Sequence, residues 1–364
     1  MSRRATALHN SPWAGAIYVT GGGSSMLAEI LAASGASNTL LDARIPYSEK
    51  SLQQLLTYRP KQTCSQTTAN NLAMMAYQNA RAIETEHTSL FGLSCTASVK
   101  TKREKRAIDR FYIAIQTDNL TFSAEMELKE NTRAQQELTI KESLWSALAK
   151  TLQVDFKFAG ERLKNTTEQL FIAPNHWADV FRKNQLAVCQ SEHDGKLLFP
   201  GSFNPLHRAH QKMLRIAEDL TGLRGAFELS IENVEKPMLN FLDLKARLSQ
   251  FNCPVWITRL PTFIEKARNF PGTQFIVGID TITRLVDARY YSTIVDRDNA
   301  LAELAELDCK FIVFGRTHES SFQTLNDLNL PPVLLRMCTE ITKEQFEDPI
   351  SSSDLREDTV DRAT

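Results

Sequence analysis

The amino-acid sequence predicts an α/β chain of two domains, the second built on a parallel sheet covered on both faces. Its 364 residues leave room for two separate cores. Short apolar runs alternate with amphipathic stretches through residues 196–335, which is the pattern of a parallel sheet with crossover helices. Twice, near residue 20 and near residue 200, an apolar run passes through a glycine-containing turn directly into a helical stretch.

Composition sets the class. Hydrophobic residues make up 42% and charged residues 23% of the chain, values ordinary for a soluble globular protein. The net charge of −1 supplies no field that would favour nucleic acid or an anionic membrane. Nucleotides, if bound, must be held by local features rather than by an overall field. Six cysteines, with no C-x-x-C pair and no metal-finger spacing, read as reduced thiols. Residues 1–15 contain arginines but no sustained apolar region, so a cytoplasmic location is expected.

In the N-terminal half, residues 16–20 form a strand that enters Gly21-Gly22-Gly23-Ser24-Ser25, and a helix over 26–33 follows. A phosphate loop and a plain structural turn are equally good readings of those glycines. Helical stretches follow from Tyr47 to Leu56 and over 67–82. Runs 90–94, 110–117 and 120–128 read as strands, the last two joined as a hairpin at Asp118-Asn119. A long amphipathic helix over 134–152 closes the domain, which is assigned residues 1–155. Residues 156–195 mix apolar pieces with polar turns and are expected to form an ordered connection.

The C-terminal domain, residues 196–364, begins with KLLFPGSFNPLHRAHQKML. An apolar run ends at Pro200-Gly201, and His207 and His210 fall where a helix over 206–220 begins. A strand, a tight turn and a helix start make an anion site, because unpaired N–H groups and the helix dipole face the loop. Two imidazoles three residues apart lie on one side of the first turn. Further strands are expected near 227–231, 255–258, 275–277, 310–314 and 333–335, with helices over 242–251, 263–270, 281–287 and 299–307. In such a sheet the ligand lies at the strands' C-terminal ends. Candidates there are Gly278 and Asp280, Lys236, and Arg316. A second helix start is read at residues 350–356, ISSSDLR. The hydroxyls of Ser351, Ser352 and Ser353 can cap it and donate to phosphate, and Arg356 adds a fork-shaped cation.

The run Gly201 to His210, GSFNPLHRAH, resembles the G-x-F-x-P-x-H-x-G-H signature of nucleotidyltransferases, a family that includes the NMN and pantetheine-phosphate adenylyltransferases. Ala209 stands at the family's glycine. Residues 350–356 resemble the family's I-S-S-T-x-I-R, with Ser353 for threonine and Leu355 for isoleucine. The resemblance implies a Rossmann-like fold and transfer of AMP from ATP to a phosphorylated acceptor. It implies catalytic roles for His207, His210, Lys236 and Arg356. It implies nucleotide contacts from Gly201, Ser202, Phe203, Gly278, Asp280, Arg316 and Ser351 to Ser353, with Mg²⁺ bridging phosphate oxygens and no protein metal ligands. Thr262 to Lys266 and Arg284 also look like family features, without an assignable role.

Residues 1–155 are similar in element order to the C-terminal domain of CinA proteins, which are nicotinamide-nucleotide amidohydrolases. The family's nucleophilic serine falls on Thr20, Tyr47 keeps a family tyrosine, and the family's lysine falls on Leu52, with Lys50 two residues away. These departures imply a degenerate domain that binds a nucleotide or serves as a homo-oligomer platform. Both resemblances point to one mononucleotide, which makes nicotinamide or nicotinate mononucleotide the expected acceptor. The alternatives are a CTP-using or other-acceptor transferase of the same fold, or a nucleotide sensor without turnover.

Overall fold

The computed structural model describes residues 2–86, 89–102, 107–156, 166–233, 237–318 and 321–348. It divides into two α/β units, residues 1–181 with 235–243, and residues 182–234 with 244–364.

Among the described residues, the first unit carries a six-stranded sheet. Its strands are β1 (Ala14–Thr20), β2 (Leu40–Arg44), β3 (Leu90–Ser98), β4 (Arg110–Gln116), β5 (Leu120–Glu127) and β6 (Thr167–Ile172), in the order β2-β1-β3-β4-β5-β6. β1 runs parallel to both neighbours, and β3 to β6 form an antiparallel meander. Alternation along β1 decides the two faces. Ile17 and Val19 join the core with helices Ser24–Leu31 and Arg133–Leu152. Ala16 and Tyr18 pack against helices Glu49–Leu56 and Gln66–Ile83. A Cβ at Gly92 would meet the Ala73 carbonyl at 2.1 Å, so β3 needs glycine where that last helix crosses it. One of the N-terminal arginines, Arg4, is structural. Arg4, on helix Arg3–His9, bridges Glu29 and Glu142, each at 2.6 Å. Burial alone would raise the Glu29 carboxyl, but Arg4, Ser2 and Lys141 bring it down to about 2.

The second unit carries a seven-stranded sheet among its described residues. Its strands are β7 (Ala187–Cys189), β8 (Leu197–Pro200), β9 (Ala226–Ser230), β10 (Val255–Thr258), β11 (Gln274–Gly278) and β12 (Lys310–Phe314), then, after the ribbon β13 (Arg316–His318) and β14 (Ser321–Gln323), β15 (Cys338–Ile341). The order is β15-β12-β11-β8-β9-β10-β7, parallel except for β7. The chain therefore steps outward from β8 to β10, returns beside β8 as β11, and steps out the other way. Strand order reverses between β8 and β11.

One expectation changes, and some elements are new. The stretch 333–335 is helical, within Pro332–Met337, and the strand is the following β15; proline at the helix start presets the first turn. Within the described part of 156–195, β6 extends the first sheet, helix Asn175–Arg182 follows it, and β7 edges the second. Helix Arg3–His9, β2 and β6 were not read from the sequence at all.

The candidate anion site at the sheet switch point

β8 ends at Pro200, and the Gly201 N–H still pairs with the Glu228 carbonyl at 3.0 Å. That N–H continues the ladder, so a nucleotide contact at Gly201 would have to come from the rest of its backbone. A Cβ at Gly201 would lie 2.5 Å from the Phe203 ring, so only glycine fits under the loop. Phe203 adopts φ +42° and is 2% exposed. Its ring sits 4.9 Å from Phe227, 5.4 Å from Phe199 and 5.0 Å from His210. The ring is the floor under the histidine. Ser202 is exposed beside it.

His207 is the N-cap of helix Arg208–Thr221, and His210 lies in its first turn. The His207 N–H donates to His210 Nδ1 at 3.3 Å, and the rings stack with centroids 3.6 Å apart. Burial, with a smaller contribution from the neighbouring His207, pushes the His210 imidazole down to about 3. Burial also lowers His207, against an opposing pull from Asp348. Both rings are thus neutral at pH 7. Because His210 Nδ1 accepts a hydrogen bond, its proton is assigned to Nε2, which becomes a donor. Among the described residues, His207 Nδ1 is buried without a hydrogen-bond partner. Ala209, at 3% exposure, turns its methyl into the protein and away from solvent.

β11 lies beside β8, pairing Gln274 with Leu197 and Phe275 with Leu198. Its C-terminal end delivers Gly278 as N-cap of helix Ile279–Val286. Nothing lies within 4 Å of where a Gly278 Cβ would stand. Asp280 does not cap that helix; it pairs with Arg316 Nη1 at 2.9 Å. The switch point therefore gathers Gly201, Ser202, His207, His210, Gly278, Asp280 and Arg316 at one edge of the sheet. Lys236, Ser351, Ser352, Ser353 and Arg356 lie outside the described residues. The chain just before the last four is anchored to the histidine helix: Asp348 pairs with Arg208 at 3.4 Å, and Lys212 lies over the Phe346 ring at 5.2 Å.

Lys266 now has a role. Thr262 and Glu265 form a capping box at the start of helix Phe263–Asn269. That helix buries Lys266 Nζ against Glu228 Oε1 at 2.9 Å, with the two side chains 5% and 1% exposed. Thr258 donates to the same carboxylate oxygen.

In the first unit the Thr20 hydroxyl is buried and donates to the Pro46 carbonyl at 2.9 Å. Its proton faces a main-chain oxygen, which is no base. Tyr47 is exposed, and its hydroxyl accepts from Arg133 Nη2 at 3.0 Å. Lys50 is exposed on helix Glu49–Leu56, whereas Leu52 is core, packed with Ala16 and Tyr18. A lysine at 52 would be a buried charge. The glycine turn is filled by the protein itself. Glu137 accepts from the Gly23 N–H at 2.8 Å and the Ser25 N–H at 2.9 Å, so a side-chain carboxylate sits where a phosphate would bind. A Cβ at Gly21 would strike the Ala97 carbonyl, which gives these glycines a packing reason. Glu137 and Arg133 carried no sequence signal, since each is one polar residue on a long amphipathic helix.

Among the described residues no three His, Cys, Asp or Glu side chains gather as a metal group, and no helix is long and apolar enough to cross a membrane. No family model matches the chain, and no curated protein matches it. Similar solved structures include the competence/damage-inducible protein CihA of Agrobacterium tumefaciens, at 13% identity over 42% of this chain and 90% of that one, with a TM-score of 0.33. A CinA superfamily protein of Escherichia coli is similar at 13% identity, over 42% and 86%, with a TM-score of 0.31. The competence damage-inducible protein A of Klebsiella pneumoniae is similar at 13% identity, over 42% and 93%, with a TM-score of 0.32.

Proposed function

We propose that the second unit is a nucleotidyltransferase. It moves AMP from ATP onto a phosphorylated acceptor, nicotinamide or nicotinate mononucleotide, and releases pyrophosphate, a step of NAD synthesis or salvage. One observation carries this reading: two helix starts, that of His207 and His210 and that of Gly278, follow neighbouring parallel strands where the strand order reverses. In open α/β sheets that crevice is where ligands bind.

The chemistry asks for little beyond charge dispersal and alignment. An acceptor phosphate oxygen attacks the α-phosphorus, a new P–O bond forms, the bond to the β-phosphate oxygen breaks, and pyrophosphate leaves with the electron pair. No proton must move. His210 Nε2–H and the His207 ring donate to the transferring phosphoryl group. Lys236, Ser351, Ser352, Ser353 and Arg356 are proposed to hold the leaving phosphates. Asp348 is three residues before Ser351, and three residues of chain reach at most about 11 Å. Mg²⁺ would enter on the triphosphate and neutralise its oxygens.

The first unit is proposed to have lost hydrolase chemistry. Thr20 is committed to a carbonyl, Leu52 to the core, and the glycine turn to Glu137. It remains a candidate nucleotide-binding or oligomer platform.

Incubation of the full chain with NMN, ATP and Mg²⁺ tests the assignment. NAD and pyrophosphate are expected in equal amounts, with ammonia release from NMN at background. Product only with CTP or another phosphorylated acceptor would move the assignment within the fold. Binding without product would replace the transferase with a sensor.

A further inference from the structure

The loop over residues 201–206, which carries the chain from β8 to His207, is held by side chains from a different segment. Arg247, on helix Phe241–Leu248, donates from Nη1 to the Ser202 carbonyl at 2.9 Å. Just beyond that helix, Gln250 Oε1 accepts from the Leu206 N–H at 2.8 Å, and its Nε2 donates to the Phe203 carbonyl at 3.2 Å. Phe203 holds a left-handed backbone conformation at φ +42°, costly for a bulky residue unless its surroundings impose it.

We propose that Gln250, with Arg247 beside it, is the positioning residue of the histidine site: it locks the loop so that His207 and His210 present their rings at the sheet edge. Its effect on turnover rests on the transferase reading; its effect on the loop does not. The chemistry singles out glutamine. The loop offers a donor at Leu206 and an acceptor at Phe203, and one amide side chain answers both. A carboxylate can only accept and a cation can only donate. Neither Arg247 nor Gln250 falls in a motif, because the segment reads as the end of an ordinary amphipathic helix.

The test is Gln250→Met, which keeps the bulk and removes both loop bonds, together with the Nε2 bond to the Arg247 carbonyl at 3.2 Å. Two measurements are made on the full chain: amide hydrogen exchange at Leu206 and His207, and steady-state kinetics. Exchange at Leu206 is expected to speed up at least tenfold. Displacing the histidines lowers kcat by on the order of tenfold to a hundredfold, with a smaller change in KM for ATP. A role confined to overall stability would lower the melting temperature and leave kcat of the folded fraction unchanged. Exchange and kcat both within twofold of wild type would overturn the proposal. If Gln250→Met does not fold, Gln250→Glu keeps the Leu206 bond, loses the Phe203 bond and is judged on the Phe203 to His207 segment by the same two criteria. Faster exchange in a protein whose wild type makes no product would leave the loop clamp standing and remove the transferase reading.

Discussion

His210→Asn is expected to lower turnover at least about a hundredfold while the second unit stays folded at pH 7.5. The magnitude is that of removing one preorganised donor from a charge-developing centre. Asparagine keeps a donor but cannot fill the imidazole's place between Phe203 and the His207 ring. The same variant carries a pH signature. The native ring titrates near 3, whereas in the unfolded chain it takes up a proton near the ordinary 6.5. Between those values the unfolded state binds the extra proton, so this group's contribution to stability is complete above pH 6.5 and is lost as pH falls toward 3. The local slope approaches ~1.4 kcal/mol per pH unit. Urea unfolding of wild type at pH 7.5, 6 and 5 should therefore steepen its loss relative to His210→Asn. Parallel pH profiles for the two proteins would contradict a buried neutral His210.

Lys266→Met is expected to destabilise the second unit by ~3–5 kcal/mol, because it strands a buried carboxylate. Glu228 is 1% exposed, and among the described residues its Oε2 has no hydrogen-bond partner, whereas Oε1 is bonded to Lys266 and Thr258. The Glu228 carbonyl also receives the Gly201 N–H, which ties this strand to the start of the histidine loop. Adding Glu228→Leu to Lys266→Met removes the stranded charge and should recover most of the loss, read by chemical unfolding of all three variants. A double variant as unstable as the single one would mean that packing, not charge, sets the cost.

The histidine segment was legible because each of its parts has a local cause: an apolar run, a Pro-Gly stop, and an N-cap before an amphipathic stripe. The parallel sheet followed for the same reason, since Val255–Thr258 and Lys310–Phe314 are short apolar runs bounded by polar turns. The edge strands were not legible. Leu40–Arg44 and Thr167–Ile172 contain no fully buried residue and mix polar with apolar side chains, and only pairing to a neighbour makes them strands. The glycine turn at 21–23 reads like an anion loop because it is one, but the anion is Glu137, more than a hundred residues on. Phe203 resembled a ligand contact by its place in a motif, and only the aromatic floor of Phe199, Phe227 and Phe251 shows why a ring is needed there. Partners distant in sequence leave no spacing to read.

The central claim is that the histidine helix start and the serine-arginine segment share one polyphosphate. Titration calorimetry of ATP binding to wild type, His210→Asn, Arg356→Ala and the double variant tests it most directly. Each single change should weaken binding about tenfold or more, and the double change should fall short of the product of the two by at least ~1 kcal/mol, because groups on one ligand moiety couple. Full ATP affinity in Arg356→Ala, or losses that multiply independently, would contradict a shared site.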